Sequence, residues 1–197
     1  MVYTISKEIL KLIKLVFVKQ IKGISNLPKG PFILAVNHSS YLDPALVYAV
    51  VLNKLDKKVH AIGAKYLFKK KLWDFIYRVW WESIPLNGAV EKAIKYLKKG
   101  EIVCIFPEGG RSRTGKMGKA TGTGAAVMAL ETGAPVVPVH IKGTFELWPR
   151  YHTLPKLGRS IEITIGKPLK FTKKDNPSKK ELNFALKKIM DTIKKLK

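Results

Sequence analysis

Three short runs that are apolar at nearly every position constrain this chain most: Pro31-Phe32-Ile33-Leu34-Ala35-Val36, Glu101-Ile102-Val103-Cys104-Ile105-Phe106 and Ala134-Pro135-Val136-Val137-Pro138-Val139-His140-Ile141. A strand wetted on one face alternates apolar with polar residues. A run that does not alternate is covered on both faces, the situation of a sheet with helices packed on each side. The stretches between these runs read as helices: Ala45 to Leu52 is apolar throughout, and Ala89, Val90, Ala93, Ile94 and Leu97 share one helical face. Gly122 to Glu131 is helical with Gly133 suited to its C-terminal cap. Ile161 to Ile165 alternates as a half-exposed strand, and Ser178-Lys179-Lys180-Glu181 forms a capping box for a last helix striped by Leu182, Leu186, Ile189, Ile193 and Leu196. The expected architecture is therefore α/β, a single domain with a mostly parallel or mixed central sheet flanked by helices. At 197 residues such a domain buries a core without staples, and the lone Cys104 has no partner for an intrachain disulfide.

Two of the apolar runs are followed by chemically distinctive segments. After the first comes Asn37-His38-Ser39-Ser40-Tyr41-Leu42-Asp43-Pro44. A histidine that takes a proton from a hydroxyl becomes a cation, and a nearby carboxylate fixes its tautomer and stabilises that charge. Asp43 is placed to do this if a turn lies between the strand and a helix. The plainer reading is that Asp43 caps the helix that Pro44 opens, and capping and catalysis are compatible. After the second run comes Pro107-Glu108-Gly109-Gly110-Arg111-Ser112-Arg113. Two glycines let the backbone turn and present amides to an anion, while Arg111 offers a planar fork that matches phosphate oxygens. Read singly, Arg111 and Arg113 are ordinary loop charges. The stretch from Arg111 to Thr123, rich in glycine and lysine, is expected to be the most mobile.

These residues carry a resemblance. The chain resembles the glycerolipid acyltransferase family that includes the lysophosphatidate acyltransferases, whose first block is a histidine and an aspartate separated by four residues. Asn37 to Pro44 matches it. The family's third block, Phe-Pro-Glu-Gly-Thr-Arg-Ser, is matched by Phe106 to Ser112 with Gly110 in place of Thr, and its apolar fourth block by Val136-Val137-Pro138-Val139. The resemblance implies that His38 is the general base and Asp43 its orienting partner. It also implies that Gly109, Gly110, Arg111 and Ser112 form a phosphate cradle ordered by Glu108, and that Pro138 shapes a neighbouring pocket wall. The hydroxyl of a lyso-phospholipid, most simply lysophosphatidate, would attack an acyl-CoA or acyl-carrier-protein thioester directly, with no cofactor and no metal. In the second block the sequence departs from its family. Ser83-Ile84-Pro85-Leu86-Asn87 ends in Asn87 where an arginine that binds the acceptor phosphate is usual, so another cation, Arg78 or Lys92, is expected to replace it, or else the acceptor carries a different headgroup or is glycerol 3-phosphate. Asn87 also suits the N-cap of the helix that follows.

Net charge is the last constraint. With 37 lysines and arginines against 14 acidic residues the chain carries +23, which implies an anionic partner. Lysine dominates and is spread along the chain, a pattern suited to acidic lipid headgroups; no nucleic acid is expected. From Ile5 to Ile24 the residues Ile5, Ile9, Leu12, Ile13, Val16, Phe17 and Ile21 make one broad helical face opposite Lys7, Lys11, Lys14 and Lys22, so residues 1–24 read as an amphipathic interfacial helix and residues 25–197 as the acyltransferase domain. Packing of that face on the protein's own core is the competing reading. No stretch reaches the ~20 apolar residues of a membrane span. The expected place is the cytoplasmic face of the cell membrane, peripheral or monotopic. Tyr66 to Trp81, aromatic with a triple lysine, is a second candidate contact with lipid or with an acyl chain. Two rivals remain. One is a noncatalytic basic membrane-binding protein. The other is a nucleotide-binding loop at Gly110 to Met117, which lacks a hydroxyl at Met117 and a helix starting at Lys116. The histidines at 38, 60, 140 and 152 are scattered, so no metal site is expected.

Overall fold

The three apolar runs become the three adjacent strands at the middle of one sheet. In the computed structural model, which describes residues 2–63, 83–152 and 154–197 with side chains from Lys7 onward, strand β2 (Ile33–Val36) lies between β5 (Ile102–Ile105) and β6 (Val136–Lys142) and is parallel to both. The remaining strands are β1 (Val18–Lys22), β3 (Val59–Gly63), β4 (Ile84–Pro85) and β7 (Ile161–Ile165), giving the order β1-β7-β6-β2-β5-β3-β4. Among the described strands only β6 and β7 are antiparallel neighbours, so the sheet is mixed and mostly parallel. Helices cover both faces, as continuous apolar strands require. Alternate residues of β2 go to opposite sides: Leu34 and Val36 join a cluster with Leu10, Phe17, Leu46 and Val50 from α1 (Val2–Phe17) and α2 (Leu42–Leu55). Ile33 and Ala35 join Ala93, Met128, Ile189 and Ile193 from α3 (Ala89–Lys98), α4 (Gly124–Thr132) and α6 (Lys179–Lys195). A short helix α5 (Thr144–Leu147) follows β6. Gly133 closes α4 in the left-handed conformation at φ 70°, and Ser178 with Glu181 makes the expected capping box at α6.

The N-terminal segment differs from the expectation. The helix does not reach Ile24; it ends at Phe17, and Val18–Lys22 pairs with β7 as the edge strand of the sheet. Val18-Lys19-Gln20-Ile21-Lys22 places its two β-branched residues toward the interior and its polar residues toward water, so strand pairing satisfies the backbone of β7 where another helical turn would not. The buried side of α1 is also rotated from the expected one. Leu10, absent from the predicted stripe, is buried with Phe17, while Ile13 and Val16 pack partly against the core. Ile9, Leu12 and Leu15 remain exposed. Tyr66 to Trp81 and Arg78 lie outside the described residues. Register fixes which ends of the strands come together. β2, β3, β5 and β6 all finish at one edge; β7 starts there because Lys142 pairs with Glu162, and β1 starts there because Val18 pairs with Ile161.

Candidate active site

His38 stands just past the end of β2. The buried side chain of Asn37 clamps that end to β6, its amide donating to the carbonyl of Ile141 (2.9 Å) and its carbonyl accepting the Ile141 amide (2.7 Å). The chain then turns into α2, which begins at Leu42, so Asp43 is inside the first helical turn and Tyr41 occupies the cap position without a side-chain bond. The expected cap is thus displaced by one function: Asp43 Oδ2 accepts the amides of Ser39 (2.7 Å) and Ser40 (2.8 Å) and the Nδ1 of His38 (2.8 Å). Free amides at a helix start need acceptors, and this fully buried carboxylate supplies one for the turn. With Nδ1 donating to Asp43, His38 Nε2 is the nitrogen that carries a lone pair. The ring is held from the side by Phe106, stacked at 4.1 Å and 24°.

The second segment meets the first because β2 and β5 are parallel neighbours, with Ala35 opposite Ile105. Glu108 Oε1 accepts the His38 amide (2.8 Å), its Oε2 accepts the amide of Gly118 (2.6 Å), and the Ser112 amide donates to the His38 carbonyl (2.8 Å). Burial pushes the Glu108 carboxyl above the usual carboxylate range, partly offset by those two amides. The stretch expected to be mobile is therefore tied down at Ser112 and Gly118, and again where the Thr121 amide reaches the Pro107 carbonyl (3.1 Å). Gly109 sits at φ 68°, where a Cβ would meet Thr121 Oγ1 at 2.0 Å, so no side chain fits. Its amide is spent on the Phe106 carbonyl (2.9 Å), leaving Gly110 as the glycine whose amide the loop does not use internally. No helix begins at Lys116; the next one starts at Gly124, which disposes of the nucleotide-loop pattern.

These residues open onto a cleft of about 430 Å³. Its lining combines small or aliphatic side chains, Ala61, Ile62, Leu86, Ala89, Val90 and Ile105, with His38, Gly109, Gly110, Arg111 and Arg150. The Arg111 guanidinium lies 3.5 Å from the centre of the Tyr41 ring. Glu108 sits beneath the cleft, and Ser112 turns back to bond the Lys116 carbonyl (2.7 Å) instead of facing it. Two further expected residues do not line the cleft. Pro138 is buried inside β6 opposite Ala35, with its carbonyl accepting the Gly166 amide (2.8 Å), so it serves the sheet and not the pocket wall. Asn87 is exposed beside the cleft, and it does not cap α3 either, since Gly88 holds that position at φ 62°. The sequence also gave no sign of Arg150, whose run carries only scattered charge. Among the described residues no cluster of three or more histidine, cysteine or acidic side chains is arranged to hold a metal ion.

The sheet thus carries a histidine–carboxylate pair and an arginine-bearing loop together at the ends of its central strands. The Acyltransferase family model matches residues 19–142, and the chain belongs to that family. It is 30% identical over 152 residues to the 1-acyl-sn-glycerol-3-phosphate acyltransferase of Bacillus subtilis, covering 73% of this chain and 70% of that one. It is 29% identical over 171 residues to the chloroplastic 1-acyl-sn-glycerol-3-phosphate acyltransferase BAT2 of Brassica napus, with 79% of this chain matched but only 46% of the plant protein. The chain thus spans less than half of that relative. The crystal structure of the 1-acyl-sn-glycerophosphate (LPA) acyltransferase PlsC from Thermotoga maritima superposes with a TM-score of 0.74 at 26% identity, over 99% of this chain and 78% of the other.

Proposed function

We propose that this protein transfers a fatty acyl group from a thioester donor to the free hydroxyl of lysophosphatidate, forming phosphatidate at a membrane surface. The observation that carries the reading is the pairing of His38 with buried Asp43 in the same cleft as Arg111. His38 Nε2 removes the hydroxyl proton as the acceptor oxygen bonds to the thioester carbonyl carbon, and Asp43 stabilises the resulting imidazolium. Collapse of the tetrahedral intermediate breaks the carbon–sulfur bond, and the departing thiolate takes the proton back from His38. No acyl-enzyme, metal or cofactor enters this scheme. Arg111 and the Gly110 amide hold the acceptor phosphate, and the apolar lining side chains Ala61, Ile62, Leu86 and Val90 suit an acyl chain. Acyl-CoA and acyl-carrier protein are both anionic donors that a +23 chain attracts.

Peripheral attachment to anionic lipid at the cytoplasmic face completes the reading. No described helix is long and apolar enough to cross a membrane. Exposed Ile9, Leu12 and Leu15 on α1, and exposed Tyr151, Leu154 and Leu157 in the segment before β7, supply apolar contacts. Arg159 links the two regions by donating to the Val18 carbonyl (2.9 Å), at the sheet edge where the cleft opens. The test is thiol release from acyl-CoA across lysophosphatidate, other lyso-phospholipids and glycerol 3-phosphate, with phosphatidate identified as product. His38→Ala is expected to cut turnover by ~10²–10⁴-fold. Absence of acceptor-dependent thiol release in folded protein, or near-normal turnover in His38→Ala, would overturn the assignment.

A further inference from the structure

Two guanidinium groups and no carboxylate are found among the cleft's described lining residues: Arg111 from the loop after β5, and Arg150 from the turn after α5. Arg150 comes from a part of the chain far from both catalytic segments, yet it is fastened to the His38 turn. Ser39 Oγ hydrogen-bonds Thr144 Oγ1 (2.9 Å), Ser40 Oγ donates to the Trp148 carbonyl (2.8 Å), and the Tyr41 and Trp148 rings meet at 5.2 Å. The turn that bears Arg150 is closed on itself by two further bonds. The His152 amide donates to the Pro149 carbonyl (3.1 Å), and the Trp148 indole nitrogen donates to the His152 carbonyl (2.9 Å). Arg150 has no carboxylate partner among the described residues. No described carboxylate therefore compensates its charge at the cleft, and its position is set by the same turn that carries His38.

We infer that Arg150 is a second phosphate-binding cation of the acceptor site and gives it selectivity for a phosphate monoester. The inference rests on the acceptor reading above. A phosphate monoester carries a charge of about −1.5 to −2 near neutral pH, more than one guanidinium neutralises. Of the other expected sources of charge, Arg78 lies outside the described residues, and neither neutral Asn87 nor Lys92 on α3 is among the described residues that line the cleft. A phosphodiester headgroup has a single charge, and its substituent occupies the side of the phosphorus where a second fork would bind. Arg150 thus favours lysophosphatidate over lyso-lipids with substituted heads, and it takes up the role that the sequence leaves open at Asn87.

The experiment compares wild type, Arg150→Gln and Arg150→Lys with lysophosphatidate and with lysophosphatidylcholine, using palmitoyl-CoA as donor. Arg150→Gln is expected to raise the KM for lysophosphatidate about tenfold or more, in line with loss of a charge-assisted hydrogen bond. The ratio of kcat/KM for lysophosphatidate to that for lysophosphatidylcholine should fall by a similar factor, while the KM for palmitoyl-CoA moves less than twofold. Arg150→Lys should recover part of the ratio, since it restores charge without the fork. An unchanged ratio in folded Arg150→Gln, including one in which both acceptors lose equally, would overturn the inference and leave the activity standing. A wild type that releases thiol with other lyso-lipids but not with lysophosphatidate would overturn the acceptor reading itself, and this inference with it.

Discussion

Replacing Asp43 by asparagine separates the electrostatic role of this carboxylate from its structural one. Oδ2 accepts three donors, the amides of Ser39 and Ser40 and the Nδ1 of His38, while buried Oδ1 has no hydrogen-bond partner. An asparagine carbonyl set in the Oδ2 position keeps all three acceptor contacts, and its NH2 takes the unpartnered side. The turn should therefore persist, at a cost of about 1–3 kcal/mol for a buried donor left unsatisfied. What disappears is the charge. Once His38 has taken the acceptor's proton, imidazolium and carboxylate attract by about 4 kcal/mol for charge centres ~4 Å apart at an effective dielectric near 20. With most of that charge developed in the transition state, about 3–4 kcal/mol of stabilisation is lost, or about 10²–10³-fold in rate. Thiol release at saturating donor and acceptor gives kcat, and thermal unfolding of the same samples reports the fold. A folded Asp43→Asn protein within threefold of wild type would refute the argument, because it would show that imidazolium forms without help from the carboxylate.

Glu108→Gln should act through the loop: Gln accepts only one of the two amides that Glu108 now holds and turns a donor toward the other, so turnover should drop about tenfold and stability by about 1–3 kcal/mol. The pH dependence has a definite sign. Because burial raises the folded-state value of the Glu108 carboxyl, the wild type loses stability as pH climbs from the ordinary carboxylate value through the raised one, a slope that Glu108→Gln should lack in thermal unfolding across that window. At the membrane, flotation should recover the protein with acidic vesicles, less with rising salt, and less again for Leu154→Asp/Leu157→Asp; equal recovery with neutral vesicles would count against electrostatic docking.

The local rules read well wherever one element decided its own fate. Residues 33–36, 102–105 and 136–139 had to be covered strands because no polar position gives either face to water. Gly133 and the Ser178–Glu181 box marked helix ends because a cap is satisfied within a few residues of itself. His38 and Asp43 were legible as a pair, being five positions apart in one turn. Misreadings arose where a distant partner chose the outcome. Val18–Lys22 became a strand because β7 needed an edge neighbour, and Leu10 became core because α1 packs on α2, neither of which is visible in the local periodicity. Strand β3 was missed for the same reason: a five-residue element beginning after two lysines has its identity from β5 beside it.

Function divides along the same line. Sequence alone singled out His38 with Asp43, and Arg111 with its neighbouring glycines, as candidate site residues, since each set lies within one short segment whose spacing survives any packing. Tertiary structure alone decided that Glu108 ties the two segments together through the His38 amide, that Pro138 belongs to the sheet, and that Asn87 stays outside the cleft. It also brought Arg150 to the cleft through the contacts of Ser39, Ser40 and Tyr41 with Thr144 and Trp148. These last facts are relations between residues more than a hundred positions apart. Such relations are set by how parallel strands end at a common edge, and a linear pattern holds no record of that edge.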